Sequence, residues 1–510
     1  MLGLFLAALE GTVVSTAMPT IVARLGGLEI YSWAFSMYML GSTATIPIYG
    51  RLSDLYGRKR VYFVGVAFFL LGSLLCAQAQ SMTQLVLFRG VQGVGAGAVL
   101  PVTFTIVGDI FTLKQRARMQ GFFSSVWGIS SVAGPLIGGF LVDNVAWQWV
   151  FYLNLPFGLL AALLVAVALV EPVEEPGQGH VDYVGAALLA GGVLSLLYAL
   201  LQGGQAYSWS DGRIVGLLVA AAVCFAAFLW REQHVAEPLV PLGMFRDRLF
   251  ATASAFNFLG GFVVLGTVAY IPLFVQGVLG TSATQAGVTL TPMSLTWGAG
   301  SILSGHLVLH FGPRRMTLAG SLCIVLGALL LTRLTASRQQ IVAVIAVSIM
   351  GLGMGLALTS YLISVQNRVN RALLGVATSS LQFAGQIGNT LGVSLLGAAM
   401  AIRLTDGLAA LPGGADVDPA AVLDRAGEAA LPPAVEAALH DLLASALHPA
   451  FLIAFIGALV GLAVAILTPR GTIEQLGAPQ PDAEIEAHAA QPNPASPGPF
   501  SRASEAKGRE

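Results

Sequence analysis

Residues 50–60 read GRLSDLYGRKR, and the rest of the chain is arranged around what this short stretch implies. Five of these eleven residues are charged in a chain that is only 10% charged, and long apolar runs flank them on both sides. A cationic cluster of Arg58, Lys59 and Arg60 between two such runs marks a cytoplasmic loop joining membrane spans. Gly50 and Gly57 allow close backbone approach or a sharp turn. Asp54 can accept hydrogen bonds from helix ends or guanidiniums.

Outward from this loop the composition is uniform in kind. Of 510 residues 56% are hydrophobic and 60 are glycine, and the mean hydropathy is +0.78. A soluble fold of this size has too little interior for so much apolar surface, so the reading is an all-α polytopic membrane protein with the lipid bilayer as its partner. A net charge of -1 argues against nucleic acid. Cys76, Cys224 and Cys323 each lie in an apolar run and read as packing residues, without disulfide or metal spacing. The pattern G-x-x-x-x-G-K-[ST] is absent, as is any nucleophile–base arrangement, so neither an ATP engine nor an enzyme is expected, and no cofactor. The first apolar run begins at the start of the chain without a basic leader, so a cleaved signal peptide is not expected.

At ~20 apolar residues per span, fourteen helices are predicted, near 2–23, 33–49, 61–79, 85–107, 121–141, 147–170, 183–202, 213–230, 251–276, 285–309, 317–335, 340–362, 372–400 and 449–468. With the amino terminus inside, even-numbered loops hold fourteen basic residues and odd-numbered loops six, which predicts cytoplasmic termini on a cell-membrane protein. An internal repeat accounts for the number of spans. Gly305, Leu307, Gly312, Arg314 and Arg315 reproduce the spacing of Gly50, Leu52, Gly57, Lys59 and Arg60 at an offset of 255 residues. Arg116-Ala117 and Arg371-Ala372 share that offset. Two six-helix bundles, 1–170 and 249–470, therefore flank an inserted pair of helices within 171–248. Such repeats suit alternating access around a midplane site. Leu309 stands where the first copy has Asp54, so a charged latch is expected on one side only. Residues 401–448 read as a long outer loop with a short amphipathic helix near 433–445, and 471–510 as a disordered cytoplasmic tail.

Several polar residues stand out inside the spans. Glu10 lies about 12 Å into the first helix at 1.5 Å per residue, where an ionised carboxylate needs a cavity or a partner. It reads either as a proton carrier or as a structural carboxyl bonded to a neighbouring helix. Arg89, in the outer part of the fourth helix, stays protonated and is either a fixed charge whose partner changes or an interfacial snorkeller. Depth counting puts Glu10 and Arg89 on different levels, so a direct salt bridge is not claimed from the sequence. Asp109, at the inner end of the fourth helix, is either a partner for Arg58 to Arg60 or a surface carboxylate. In the fifth helix Gly134, Gly138 and Gly139 permit close helix contact, and Pro135 removes a backbone hydrogen bond and kinks the helix. Asn257, Gln276 and Gln382 are candidate cavity polars of the second half. His306 and His310, spaced i, i+4 without a third ligand, read as helix-end packing rather than a metal site.

These motifs together resemble the major facilitator superfamily, and within it the fourteen-helix drug:proton antiporters. The 50–60 stretch resembles that family's loop between helices 2 and 3. LEGTVVSTAMPTI, containing Glu10, is similar to a helix 1 signature that usually carries Asp there, with Ser15 and Met18 as further departures. RGVQGVGAGAVLP resembles the helix 4 motif R-x-x-Q-G-x-G-A-A, in which the residue matching Arg89 is implicated in proton coupling. Gly134-Pro135 with Gly138-Gly139 resembles the fifth-helix motif that separates exporters from importers. WQWVFYLNLPFG, residues 147–158, resembles a further signature of the drug exporters, with Gln148 in place of Arg. The resemblance implies that Asp54, Arg58, Lys59, Arg60 and Asp109 latch the cytoplasmic side in the outward-facing state. It also implies export of small hydrophobic or amphipathic compounds, cations among them, in exchange for protons carried by Glu10. An uptake permease for a small metabolite and a non-transporting membrane sensor or lipid-binding protein are the alternatives.

Overall fold

Gly57 is the whole turn between two long helices. Its φ of 92°, a conformation that favours glycine, separates α2 (Trp33–Tyr56) from α3 (Arg58–Ala77). Its repeat partner Gly312 has φ 76° and bends the long helix Ala283–Leu331 into two arms, α10 (283–311) and α11 (313–331). The internal repeat is thus one of backbone geometry as well as sequence.

The computed structural model describes residues 2–27, 30, 33–169, 182–203, 207–235, 238–279, 281, 283–335, 340–409 and 433–476. Besides those named, the long helices are α1 (Leu2–Leu25), α4 (Met82–Ile110), α5 (Leu113–Asn144) and α6 (Trp149–Ala168). They continue with α7 (Tyr183–Gln202), α8 (Gly212–Glu232), α9 (Arg248–Val278), α12 (Gln340–Arg368), α13 (Leu374–Ala409) and α14 (Pro433–Leu467). Among the described residues, eleven helices are long and apolar enough to cross a membrane, with α10 and α11 counted together. The chain is therefore an all-α, multi-pass membrane protein. Outside that set, α2 is as long but is diluted by Ser, Thr and Tyr, and α5 has several side chains outside the described residues.

Packing follows the repeat. In the first half α4 lies against α2 and α3, and α1 against α5; in the second, α9 lies against α13 and α11 against α12. The two halves meet crosswise, α2 on α13 and α5 on α10. The inserted helices α7 and α8 pair with each other, and α7 rests on α2. Its Leu189, Val193 and Leu197 pack with Leu40 and Ala44 of α2, and Phe383 and Ile387 of α13 close the same cluster. The inserted pair therefore covers the α2–α13 seam from one side.

Two sequence expectations change. The outer loop 401–448 is largely helical at both ends, because α13 runs to Ala409 and α14 starts at Pro433. Alanine-rich sequence has high helix propensity and simply extends both spans. The predicted 433–445 helix is the beginning of α14, and 410–432 lies outside the described residues. The tail expectation also fails at its start. Ile473 is buried with Val308, Met316 and Ile363, and Arg368 and Asn367 donate to the carbonyls of Leu476 and Ile473 at 3.0 and 3.3 Å. Residues 477–510 lie outside the described residues.

Candidate functional site

The first-half bundle encloses a polar network. Glu10 on α1 and Arg89 on α4 are each 2% exposed and form a direct ion pair. The guanidinium is held from several directions. Nη1 also donates to Gln92 Oε1 at 2.7 Å, Nε donates to the Ala34 carbonyl at 3.1 Å, and the group lies 4.3 Å from the centroid of the Tyr38 ring. Asn154 of α6 donates through Nδ2 to Glu10 Oε2 at 2.5 Å and to Ser73 Oγ at 2.9 Å. Gln92 Nε2 donates to the same Ser73 Oγ at 2.7 Å. Residues of α1, α2, α3, α4 and α6 thus meet around one carboxylate. A buried pair repays its desolvation only when the remaining hydrogen-bonding positions are also filled, as Asn154 and Gln92 fill them.

This overturns the expectation that Glu10 and Arg89 stand on separate levels. At 1.5 Å per residue, Glu10 is about 12 Å along α1 and Arg89 about 10 Å along α4 from the opposite side, within a ~30 Å core. About 8 Å remains, a gap that the two long side chains span together. Depth counting measures backbones and omits that reach. Asn154, Ser73 and Tyr38 were not singled out in the sequence. The available signal was an asparagine inside the apolar Trp149–Ala168 run, where an amide needs a partner.

A second cluster joins the two halves at the end of the molecule where α2 turns into α3. Asp54 accepts from the backbone N–H groups of Gly375 and Val376 at 2.9 and 2.8 Å, capping the start of α13 across the two halves. Arg58 Nη2 lies 3.1 Å from Asp54 Oδ1 and donates to the Arg371 carbonyl at 2.7 Å, while its Nε is 2.8 Å from Asp109 Oδ2. Arg371 Nε in turn donates to Asp109 Oδ1 at 2.9 Å. Asp109 is therefore a bridging group, with its side chain 7% exposed, and the surface-carboxylate alternative falls away. Asp54 stands in the last turn of α2, beyond the apolar 33–49 stretch. Burial pushes its carboxyl up to about 6 against the pull of Arg58 and the two N–H groups.

Two parts of the predicted latch sit elsewhere. Lys59 Nζ donates to the carbonyls of Ala166 and Leu169 at 2.6 and 2.9 Å, capping α6, and Arg60 is exposed. The cationic cluster follows helical spacing, so only Arg58 points across the seam. The cluster is also less one-sided than Leu309 suggested, since Arg371 and the α13 amides come from the second half. Leu309 itself, like Leu113, packs against the cluster of Val308, Met316, Ile363 and Ile473. Gly50 completes the seam, because any side chain there would collide with Ser379.

On α5, Gly134 and Gly138 face α1, where added side chains would meet Thr12 and then Val13 and Thr16. Gly139 has open space beside it, so the expected close contact does not include it. The side chain of Pro135 lies outside the described residues. His306 and His310 each place Nδ1 by the carbonyl four residues earlier. No group of three or more His, Cys, Asp or Glu that could hold a metal occurs among the described residues.

Comparison with known proteins extends this geometry. Residues 1–393 match the family described as Major Facilitator Superfamily. The chain is 40% identical over 411 residues to multidrug transporter protein MdtP of Bacillus subtilis (strain 168), covering 80% of this chain and 76% of that protein. It is 39% identical over 397 residues to multidrug resistance protein 3 of the same organism, covering 78% and 77%. Efflux pump dotC of Dothistroma septosporum (strain NZE10 / CBS 128990) is 31% identical over 399 residues, covering 77% and 69%. Among solved structures, the proton:xylose symporter XylE superposes with a TM-score of 0.62 at 14% identity, over 93% of this chain and 96% of that one. The human organic anion transporter MFSD10 superposes at 0.60 with 15% identity, over 90% and 97%. At such identities the structural likeness speaks for the fold alone.

Proposed function

The chain belongs to the major facilitator superfamily, which makes it a membrane transporter and not an enzyme, and we propose that it is a proton-coupled antiporter exporting small hydrophobic or amphipathic compounds. The observation that carries the reading is the buried Glu10–Arg89 pair with Asn154 on its free oxygen. Protonating Glu10 removes one charge of a neutral pair and leaves Arg89 as an uncompensated cation inside the bundle. A buried unpaired charge is expensive, so the bundle gains a strong preference for whichever packing relieves it. That is the differential stabilisation an ion-driven conformational change requires.

In the proposed cycle the shut cytoplasmic cluster of Asp54, Arg58, Asp109 and Arg371 belongs to the outward-facing state. Glu10 takes a proton from outside, the cluster opens, and the inward-facing protein releases the proton and takes substrate. Export is supported by the Gly134–Gly139 motif and by relatives named as multidrug transporters and efflux pumps. The placement of basic residues supports a cell-membrane protein with cytoplasmic termini.

The test uses proteoliposomes loaded with a pH-sensitive dye under an imposed proton gradient, with a panel of lipophilic cations and neutral amphiphiles. Compound-dependent proton leak is expected in the native protein and not in Glu10→Gln. Equal leak in both moves the proton site off Glu10. No leak in either, with binding retained, rejects antiport.

A further inference from the structure

Helix α13 crosses the molecule with two occupied faces. Gly375 and Ser379 lie against Gly50 of α2, and Thr390 Oγ1 sits 3.8 Å from Met39 Sδ on the same helix. About two-fifths of a turn away, Gly388 and Gly392 lie against the backbone of Phe258 and Phe262 in α9, and Gly261 of α9 against Gly385. At 3.6 residues per turn, Gln382 and Asn389 fall between these two faces, and Gln386 at the α2 edge of the same stripe. All three are partly exposed, and no side-chain partner for them occurs among the described residues. The gap between α2 and α9 has a floor on the side where α2 turns into α3. Gln366 Nε2 donates to the Phe104 carbonyl of α4 at 3.2 Å and lies 3.3 Å from Thr378 Oγ1, one turn below Gln382. The three amides begin just above that floor, about 12 to 22 Å along α13, near the middle of a ~30 Å core. Unpaired amides cost several kcal/mol each against lipid, so this stripe faces a wet interior.

Charge completes the argument. Stretches 249–278, 283–311, 316–332, 340–367, 374–402 and 442–467 contain no Asp, Glu, Lys or Arg. In the six predicted spans of the first half the formal charges are Glu10 and Arg89. Glu10 points into its own bundle, with both oxygens engaged by Arg89 and Asn154. A cationic compound in the gap therefore meets no free carboxylate at membrane depth.

We infer that Gln382, Gln386 and Asn389 form the specificity wall of the transport site, and that the site takes uncharged, hydrogen-bonding amphiphiles through these amides rather than cations through Glu10. This deepens the transport reading and rests on it. The proton and the substrate then occupy separate places, one inside the first bundle and one on α13, and influence each other through the conformational change.

The test is binding, measured separately from proton movement. The full-length protein in nanodiscs is titrated with two fluorescent probes, neutral dansylglycinamide and a dansylamide carrying a trimethylammonium head, with empty nanodiscs as the partition control. The neutral probe is expected to bind saturably and more tightly than the cation. Gln386→Leu and Asn389→Leu should each weaken it about five- to tenfold, as expected for one lost hydrogen bond. Gln386→Asn, which keeps the amide, should weaken it less and guards against a misfolded leucine variant. Gln382→Glu should make the cation bind about tenfold tighter or more by placing a carboxylate in the wall. Three results would overturn the assignment: no saturable binding of the neutral probe, unchanged affinity in the leucine variants, or a cation that binds the native protein tightly and loses binding in Glu10→Gln. Loss of proton flux with these affinities intact would instead reject antiport and leave the wall standing.

Discussion

Arg89 shows what a single residue contributes beyond its charge. Its guanidinium meets a carboxylate, a side-chain amide and a backbone carbonyl in three directions while its face lies on an aromatic ring. Lysine offers one compact donor group and no plane. Arg89→Lys should therefore lower stability by about 1–3 kcal/mol, and Arg89→Ala by about 3–5 kcal/mol because Glu10 is left buried without a counter-ion. Combining Arg89→Ala with Glu10→Gln should recover part of that loss, since the stranded charge is gone. Apparent melting temperatures in detergent for the two single variants and the double variant would check this. A double variant as unstable as the sum of the singles would mean that the pair has no coupling.

Between elements, contact at membrane depth depends on small residues rather than on hydrophobic burial, because lipid is as apolar as the protein interior. The α9–α13 contact brings Gly388 so close to Phe258 that an added methyl group would run into its backbone carbonyl. Gly388→Ala is expected to force the helices apart and to lower the melting temperature by several degrees or abolish folding. Gly139→Ala, with open space at that position, should fold as the native protein does. Thermal scans of the two variants side by side separate a packing requirement from a general intolerance of alanine. The same reasoning divides the fifth-helix motif into Gly134 and Gly138, which touch α1, and Gly139, which does not.

For the whole molecule, the proposed cycle makes the cluster of Asp54, Arg58, Asp109 and Arg371 decide which side is shut. Its bonds cross between halves that otherwise meet along the α2–α13 and α5–α10 seams. Each charge-assisted hydrogen bond is worth about 1.5–3 kcal/mol, so removing Asp54 or Arg371 should shift the balance of states about tenfold or more toward an open cytoplasmic side. A Ser379→Cys reporter, buried under Gly50 in the shut arrangement, would be labelled by a membrane-impermeant thiol reagent in inside-out vesicles. With Cys76, Cys224 and Cys323 replaced, Arg371→Ala is expected to speed labelling several-fold. An unchanged rate would mean that the apolar seams alone hold the site closed.

Hydropathy runs and basic loops sufficed to read an all-α multi-pass membrane protein, because bilayer thickness and backbone hydrogen bonding restrict what an apolar chain can do, and the quoted motifs carried the resemblance to the family. Gly57 and Gly312 were legible as turns for the same local reason. Glu10, Arg89, Asp54 and Asp109 were legible as unusual charges, since isolated charges in apolar sequence need an explanation. Their partners were not legible. Glu10 meets Asn154 from 144 residues away, and Arg371 reaches Asp109 across 262. Which face of a helix turns toward which neighbour depends on packing summed over the whole bundle. Only the tertiary structure therefore decided that the carboxylate is enclosed in its own bundle.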